Sequence, residues 1–175
     1  MEFGNFSDLL SAACNIAMAS AAVYAAFNAN KWLAQKKYES ALNHISNLLE
    51  ERDKIIGVIS MFSIEIRKLR GNKDKKTEFQ NNAQQLIVRI FLLKKSLDAC
   101  KRWDVGVPDI LYDDISLLFK YCDTCLSLSE YFSPCEHQDY PKLGELRDAI
   151  NEMSEFCMKR IEEIFEFPTK IPINY

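Results

Sequence analysis

The sequence predicts an all-α protein: an antiparallel four-helix bundle preceded by a long N-terminal helix with the features of a single transmembrane segment. Only 5 glycines and 5 prolines occur among 175 residues, too few for the turns of a sheet protein of this size. Apolar residues also recur at alternating steps of three and four along four stretches of the chain. That spacing is typical of helices that pack against one another.

The composition indicates a folded chain with a substantial core. Hydrophobic residues make up 48% and charged residues 27%, a balance unlike that of disordered segments. The net charge of −3 argues against a nucleic-acid partner, because domains that bind nucleic acid are usually strongly basic. The 6 cysteines are expected to be free thiols in a reducing compartment, since the first residues carry acidic side chains and lack the lysine or arginine that opens a secretory signal.

Residues 1–36 form the first predicted region, an alanine-rich hydrophobic helix. No charged residue interrupts the run from Leu9 to Phe27, whose length approaches the ~20 residues that cross a bilayer. The flanking charges are acidic before the run and basic after it, namely Glu2, Asp8, Lys31, Lys36 and Lys37. By the positive-inside tendency, the helix would cross the inner membrane once, with its N-terminus outside and the rest of the chain in the cytoplasm.

Two other interpretations of this helix remain open at the level of sequence. Alanine contributes little to membrane insertion, and polar residues such as Asn15 and Ser20 weaken it further. The helix could instead pack against protein within a soluble, cytoplasmic oligomer, or it could lie in the membrane interface.

A stripe of small residues predicts self-association through residues 11–26. The residues that repeat every four positions are Ala13, Ala17, Ala21 and Ala25. Such a stripe lets two helix backbones approach closely. Ser11 and Asn15 belong to the same segment, and the Asn15 side chain can hydrogen-bond across a helix pair. We therefore expect a homo-oligomer.

Four amphipathic stretches within residues 37–167 predict the bundle. The expected helices span roughly 38–70, 77–102, 109–132 and 142–166, with Thr77 as the N-cap of the second. Short connections join them, which favours antiparallel neighbours in an up-and-down bundle. Residues 168–175 are predicted to be an extended tail, because Pro168 and Pro172 oppose helix formation.

The predicted core follows one apolar seam on each helix. The first seam is Ala41, Ile45, Leu48, Arg52, Ile55, Ile59, Phe62, Ile66 and Leu69, and the second is Phe79, Ala83, Leu86, Ile90, Leu93, Leu97 and Cys100. The third is Leu111, Ile115, Leu118, Cys122, Cys125, Ser129 and Phe132, and the fourth is Leu143, Leu146, Ile150, Met153, Cys157, Ile161 and Ile164. Carboxylates such as Asp113, Asp114 and Asp123 are expected on solvated helix faces.

Four residues come closest to a metal site: Cys122, Cys125, Cys135 and His137. A Cys-x-x-Cys pair with a downstream Cys and His is found in zinc sites. Cys122 and Cys125 also occupy seam positions, however, where a cysteine packs well as a small apolar residue. We expect core packing, and hence no metal and no cofactor.

A basic cluster surrounds the end of the first bundle helix. Its members are Arg67, Lys68, Arg70, Lys73, Lys75 and Lys76. Cations at a helix C-terminus complement the helix dipole, which explains the cluster without any ligand. The same residues also form a patch that an acidic partner could bind.

The sequence predicts a protein that is not an enzyme. Only two histidines occur, His44 and His137, and the glycines are isolated rather than grouped in a phosphate-binding loop. The features favour a membrane-anchored interaction or sensor module with a protein partner. Two alternatives stay open: a membrane effector, meaning a toxin or pore-like oligomer regulated by its bundle, and a soluble helical scaffold subunit of a larger complex.

Overall fold

The computed structural model describes residues 4–69, 73–130 and 140–167, and over these ranges it confirms the all-α class. The helices are α1 (Gly4–Arg67), α2 (Lys73–Ala99), α3 (Asp109–Ser129), α4 (Tyr140–Cys157) and α5 (Ile161–Ile164). A 3₁₀ turn, Cys100–Trp103, follows α2. Within the described ranges, the β pairing is limited to one isolated bridge between Gly106 and Glu166.

The chain divides after Ser40 into an N-terminal unit and a bundle unit that begins at Ala41. The bundle unit contains the C-terminal part of α1 together with α2, α3, α4 and α5. The boundary after residue 36 was inferred from hydropathy and stays a prediction. The predicted tail at 168–175 lies outside the described residues.

Cross-helix hydrogen bonds show that consecutive helices of the bundle unit run antiparallel. His44 lies beside Ser96, whereas Glu51, further along α1, lies beside Arg89, which is earlier in α2. The equivalent pairs are Asp98–Tyr112 and Gln80–Ser129 between α2 and α3, and Arg52–Ser154 and Arg67–Tyr140 between α1 and α4. The bundle therefore has the up-and-down order expected of short connections.

The first three predicted seams form the core, whereas the fourth is buried only at Leu143, Ile150 and Ile164. Its other members, Leu146, Met153, Cys157 and Ile161, are half-buried. Every residue of the first two seams is buried, including the charged Arg52. In α3 the buried seam residues are Leu111, Ile115, Leu118, Cys122, Cys125 and Ser129, while Phe132 lies outside the described residues. The structure adds Tyr121 and Leu128 to this core. The Tyr121 hydroxyl donates to the backbone carbonyl of Ile59 at 3.4 Å, so its polar atom is satisfied inside the bundle.

The prediction of one unbroken helix over 142–166 is wrong. α4 ends at Cys157, and Arg160 is extended, with φ −61° and ψ 145°, before α5 begins. The break redirects the chain so that Ile164 and Phe165 are buried. The Gly106 amide then donates to the Glu166 carbonyl at 2.7 Å, and the Glu166 amide donates back to Gly106 at 3.1 Å. A local apolar spacing cannot reveal these long-range contacts.

The start of the second bundle helix also differs from the prediction. α2 begins at Lys73, about one turn before the predicted N-cap Thr77. Asp74 lies in this first turn, where a carboxylate complements the positive end of the helix dipole.

Candidate functional site

The N-terminal part of α1 exposes its apolar side chains. All side chains from Ser7 to Lys37 are exposed, with Leu9 at 70% and Tyr24 at 71%. By length and composition, α1 is the one helix of the described ranges that can cross a membrane, although core helices of soluble proteins and signal sequences meet the same criteria. A helix that is apolar on all sides needs lipid or protein around it.

The predicted self-association stripe lies on this exposed part of α1. Its residues, Ser11, Ala13, Asn15, Ala17, Ala21 and Ala25, are all helical and exposed. Residues four apart are neighbours on a helix surface, so the four alanines share one face. Self-association through this face stays a prediction.

Part of the predicted basic patch is engaged by other residues of the bundle. Arg67 hydrogen-bonds to the Tyr140 hydroxyl, and its guanidinium carbon lies 5.4 Å from the centre of the Tyr140 ring. Lys76 Nζ donates to the backbone carbonyl of Glu130 at 3.4 Å. These two cations therefore tie α1 to α4 and α2 to the end of α3.

The remaining described cations of the patch line a cavity together with carboxylates. Lys68 and Lys75 line a cavity of about 180 Å³ between the end of α1 and the start of α2, and Glu65 and Glu78 line it as well. Arg70 and the side chain of Lys73 lie outside the described residues. The local charge is thus mixed, and binding of an acidic partner to this patch stays a prediction.

The predicted metal-site cysteines occupy the core. Cys122 and Cys125 are fully buried in α3. Burial raises the pKa of the Cys122 thiol to about 12 and also raises the pKa of Cys125, whereas a metal binds the thiolate. In the described part of the chain, no three His, Cys, Asp or Glu side chains are grouped to hold a metal ion. Cys135 and His137 lie outside it.

A buried ion pair crosses the bundle from α1 to α3. Arg52 Nε donates to Asp114 Oδ2 at 2.5 Å and Nη2 donates to Oδ1 at 3.0 Å, with the two side chains 2% and 1% exposed. Arg52 Nη2 also lies 3.4 Å from Ser154 Oγ in α4. The expectation that Asp114 lies on a solvated face is wrong, because α3 turns this carboxylate towards the interior, where Arg52 neutralises it.

Two opposing effects act on the Arg52 guanidinium. Burial lowers the pKa of Arg52, but the hydrogen bonds and charge of Asp114 outweigh this effect. Smaller contributions from Cys157 and Asp53 act in the same direction as Asp114, so the pKa of Arg52 is raised. The Arg52 guanidinium therefore stays charged inside the bundle.

A groove runs between α1 and α2. His44 Nε2 lies 2.8 Å from the Ser96 carbonyl oxygen, and the His44 and Trp103 rings are in contact, tilted by 32° with their centres 4.7 Å apart. Further along the groove, Arg89 Nε donates to Glu51 Oε1 at 2.8 Å. These contacts border a cavity of about 260 Å³ that is also lined by leucines. Its ionisable side chains are engaged locally, Glu51 with Arg89 and His44 with the Ser96 carbonyl, and do not converge on one point in the cavity.

The outward face of α2 combines exposed apolar residues with cations. Val88, Phe91 and Leu92 are 57%, 56% and 59% exposed. Lys95 Nζ lies 5.4 Å from the centre of the Phe91 ring. The sequence did not single out the exposed apolar residues of this face, although one signal was available: the stretch 79–97 contains no Asp or Glu.

No family model, curated protein or solved structure matches this chain. Its function must therefore be inferred from its own residues and their geometry. The most distinctive features are the exposed apolar part of α1, the buried Arg52–Asp114 pair and the outward face of α2.

Proposed function

We propose that the protein is a non-enzymatic, membrane-anchored helical-bundle module that binds a protein partner or senses a signal, and that self-associates through its N-terminal helix. The observation that carries this proposal is the uncharged, exposed helix from Leu9 to Phe27. Exposed apolar surface costs about 25 cal/mol per Å² in water, and a bilayer removes that cost. A helix satisfies its own backbone hydrogen bonds, so it can enter lipid.

The charges that flank the helix support one orientation. Asp8 precedes the apolar run, and Lys31, Lys36 and Lys37 follow it. Cations collect on the cytoplasmic side of membrane helices, which would leave the bundle unit in the cytoplasm. Trp32, 58% exposed, lies among these lysines, and tryptophan is enriched at the level of the lipid headgroups.

A non-enzymatic role is supported by how the bundle uses its polar groups. Across the described residues, every buried side-chain nitrogen and oxygen has a hydrogen-bond partner. The buried charged side chains of the described residues, Arg52 and Asp114, neutralise each other. Catalytic groups, by contrast, usually lie in an accessible cleft and have a perturbed pKa.

A route for signal transmission follows from the extent of α1. The same helix carries the proposed anchor and the first helix of the bundle, and it is helical from Gly4 to Arg67. A change in the pairing of anchors would act on the helix that also holds Arg52. A signal would then be a shift between two arrangements of the bundle helices.

Alkaline-carbonate extraction of membranes tests the anchor. We expect the full chain in the pellet and Ala17→Arg/Val23→Arg in the supernatant, because each central arginine costs about 2.5–3.5 kcal/mol of insertion free energy. Ser46→Arg changes an exposed residue in the bundle part of α1 and is the matched control, which should stay in the pellet. Wild-type chain in the supernatant would overturn the anchor and favour the soluble scaffold subunit. Dye leakage from vesicles that hold the inserted chain would favour the membrane effector.

A further inference from the structure

We propose that a cavity between the end of α1 and the start of α4 binds a phosphate group. We call it the phosphate cavity. Its polar lining residues are Ser63, Arg67, Tyr140 and Arg147, and Gly144 forms part of its wall. The inference goes beyond the proposed function and does not depend on the membrane location, because all of these residues belong to the bundle unit.

The phosphate cavity has room for one phosphate group. Its volume is about 170 Å³. A water molecule occupies about 30 Å³ in the liquid, so the cavity accommodates roughly five or six atoms of that size. The phosphorus and oxygen atoms of one phosphate therefore fit inside it. Arg67 and Arg147 are exposed, so the cavity is open to a ligand from solvent.

The charges that line the phosphate cavity favour an anion. Arg67 comes from α1 and Arg147 from α4, and the described lining contains no Asp or Glu. The two other cavities of the bundle unit described above differ in this respect, because carboxylates line both of them: Glu65 and Glu78 in one, Glu51 in the other. Guanidinium groups bind phosphate and carboxylate oxygens through paired N–H donors, so two arginines without an acid select an anionic ligand.

Tyr140 adds a hydroxyl donor to the two arginines. Arg67 Nε donates to the Tyr140 hydroxyl oxygen, and the Arg67 guanidinium carbon lies 5.4 Å from the centre of the Tyr140 ring. These contacts hold both side chains at the cavity. Within the described ranges, the Tyr140 O–H itself donates to no other group. Because a hydrogen bond into the phenol oxygen polarises the O–H, Tyr140 is a strengthened donor for an anion in the cavity.

The nearest described acid does not neutralise the cavity. Arg147 Nη2 lies 3.5 Å from Asp148 Oδ1, and the two side chains are 46% and 68% exposed. Lys142 and Glu145 are exposed on α4 and carry opposite charges. The acids within 131–139 lie outside the described residues. An exposed pair such as Arg147–Asp148 contributes little, so an anion in the cavity can replace Asp148 as the partner of Arg147.

The number and the direction of the donors favour phosphate over carboxylate. A carboxylate presents two oxygens in one plane, which a single guanidinium can bind. A phosphate monoester presents three terminal oxygens and carries a charge of about −1.5 to −2 at neutral pH. Two guanidiniums from different helices and the Tyr140 hydroxyl match that arrangement. Ser63 Oγ, which donates to the Ser60 carbonyl at 3.3 Å, can rotate to donate to the anion as well.

Phosphorus NMR titrations test the phosphate cavity in the full chain, held in maltoside detergent. Inorganic phosphate and phenyl phosphate are the probes, and line broadening reports binding. We expect Arg147→Gln to weaken binding by about tenfold or more, because it removes charge-assisted hydrogen bonds. Arg102→Gln removes the same charge from the exposed 3₁₀ turn after α2 and is the matched control, which should bind as the wild type does.

Gly144→Glu is a second variant that keeps the test decisive. An added Cβ at this position meets nothing within 4 Å, so the bundle should fold, as circular dichroism would verify, while the new carboxylate should abolish phosphate binding. Tighter binding of phenyl phosphate than of inorganic phosphate would identify an esterified phosphate as the ligand, and equal binding would identify the free ion; both support the cavity.

Three results would overturn the inference. The first is the absence of broadening with the folded wild type at millimolar phosphate. The second is equal binding by the wild type, Arg147→Gln and Gly144→Glu, which would locate the ion elsewhere. The third is displacement of phosphate by an equal concentration of acetate, which would replace the phosphate assignment with a carboxylate. Carbonate extraction is independent of all three, so failure of the membrane anchor and failure of the phosphate cavity are distinguishable.

Discussion

Arg52 and Asp114 form a two-pronged ion pair through the interior of the bundle, joining α1 to α3 at 2.5 and 3.0 Å. Desolvation of two buried charges roughly cancels their attraction, so such a pair adds little net stability. A better-attested role is to specify one arrangement of helices. The apolar residues on either side in the first seam, Leu48 and Ile55, would tolerate a shifted register, whereas a shift of α3 by one turn would move the Asp114 carboxylate about 5.4 Å away from Arg52. We infer that the pair aligns α1 with α3.

Removing one member of this pair is expected to destabilise the bundle strongly. Arg52→Met leaves the Asp114 carboxylate buried without a counter-charge, and we expect the free energy of unfolding to fall by about 3–5 kcal/mol. The double variant Arg52→Met/Asp114→Leu should lose much less, since no charge remains buried. Urea denaturation of the full chain in detergent, followed by circular dichroism, measures both.

Arg89→Met is the control for that experiment. It breaks the partly exposed pair with Glu51, which is expected to contribute about 0–1 kcal/mol. If Arg52→Met lowered the free energy of unfolding no more than Arg89→Met does, water would have to reach the Asp114 carboxylate. The Arg52–Asp114 pair would then not specify the register of α1 and α3.

The glycines of the bundle are expected to respond to alanine in opposite directions. A Cβ at Gly106 would lie 2.9 Å from the Glu166 Cβ, so Gly106→Ala should separate the two backbones and cost about 1–3 kcal/mol. Gly57 and Gly144 are helical and have nothing within 4 Å of an added Cβ. Gly57→Ala and Gly144→Ala should each stabilise the protein by roughly 0.5–1 kcal/mol. The same urea titration reports all three, and a stabilising Gly106→Ala would contradict the close approach.

The buried thiols predict a loss of stability in alkali. Folding raises the pKa of Cys122 from 9.0 to about 12, so the unfolded chain releases this proton first. Between these two values the unfolded state binds fewer protons, and the free energy of unfolding falls as pH rises, by about 1.4 kcal/mol per pH unit for one thiol. Below pH 9 this contribution is fully retained.

Cys122→Ala should therefore show a shallower decline of unfolding free energy above pH 9 than the wild type. Ser127→Ala changes an exposed, non-ionisable side chain of the same helix and should leave the slope unchanged. Equal slopes in the wild type and Cys122→Ala would mean that the thiol ionises as readily in the folded bundle as in the unfolded chain.

The alanine stripe predicts that bulky substitutions weaken self-association only on the side of α1 that carries the stripe. Ala17→Ile/Ala21→Ile places bulk between the paired helices, and overpacking of this kind costs about 1–3 kcal/mol, which is roughly fivefold to 150-fold in the association constant. Ala19→Ile/Ala26→Ile adds the same bulk on the opposite side of the helix and should have little effect. Energy transfer between labelled chains in vesicles measures both. Equal losses in the two variants would argue against the stripe as the interface.

Local pattern in the sequence was sufficient for the helices and most of the core. Apolar residues that repeat every three or four positions lie on one side of a helix, and burying that side lowers the free energy of the folded chain. The seams of α1 and α2 are accordingly buried without exception. The uncharged run from Leu9 to Phe27 likewise identified the candidate membrane helix from composition alone. These features depend on neighbours within about two helical turns.

Tertiary contacts determined the features that depend on residues far apart in the chain. From the sequence, Asp114 is expected at the surface because it is acidic. In the structure it is buried, because Arg52 from another helix lies opposite it. The break after Cys157 follows from the burial of Phe165 and the Gly106–Glu166 bridge, which no local spacing encodes. Val88, Phe91 and Leu92 lie off the predicted seam of α2, and the packing of α2 leaves these apolar side chains exposed. A helical pattern specifies which residues share a face, but the neighbouring helices determine which face is covered.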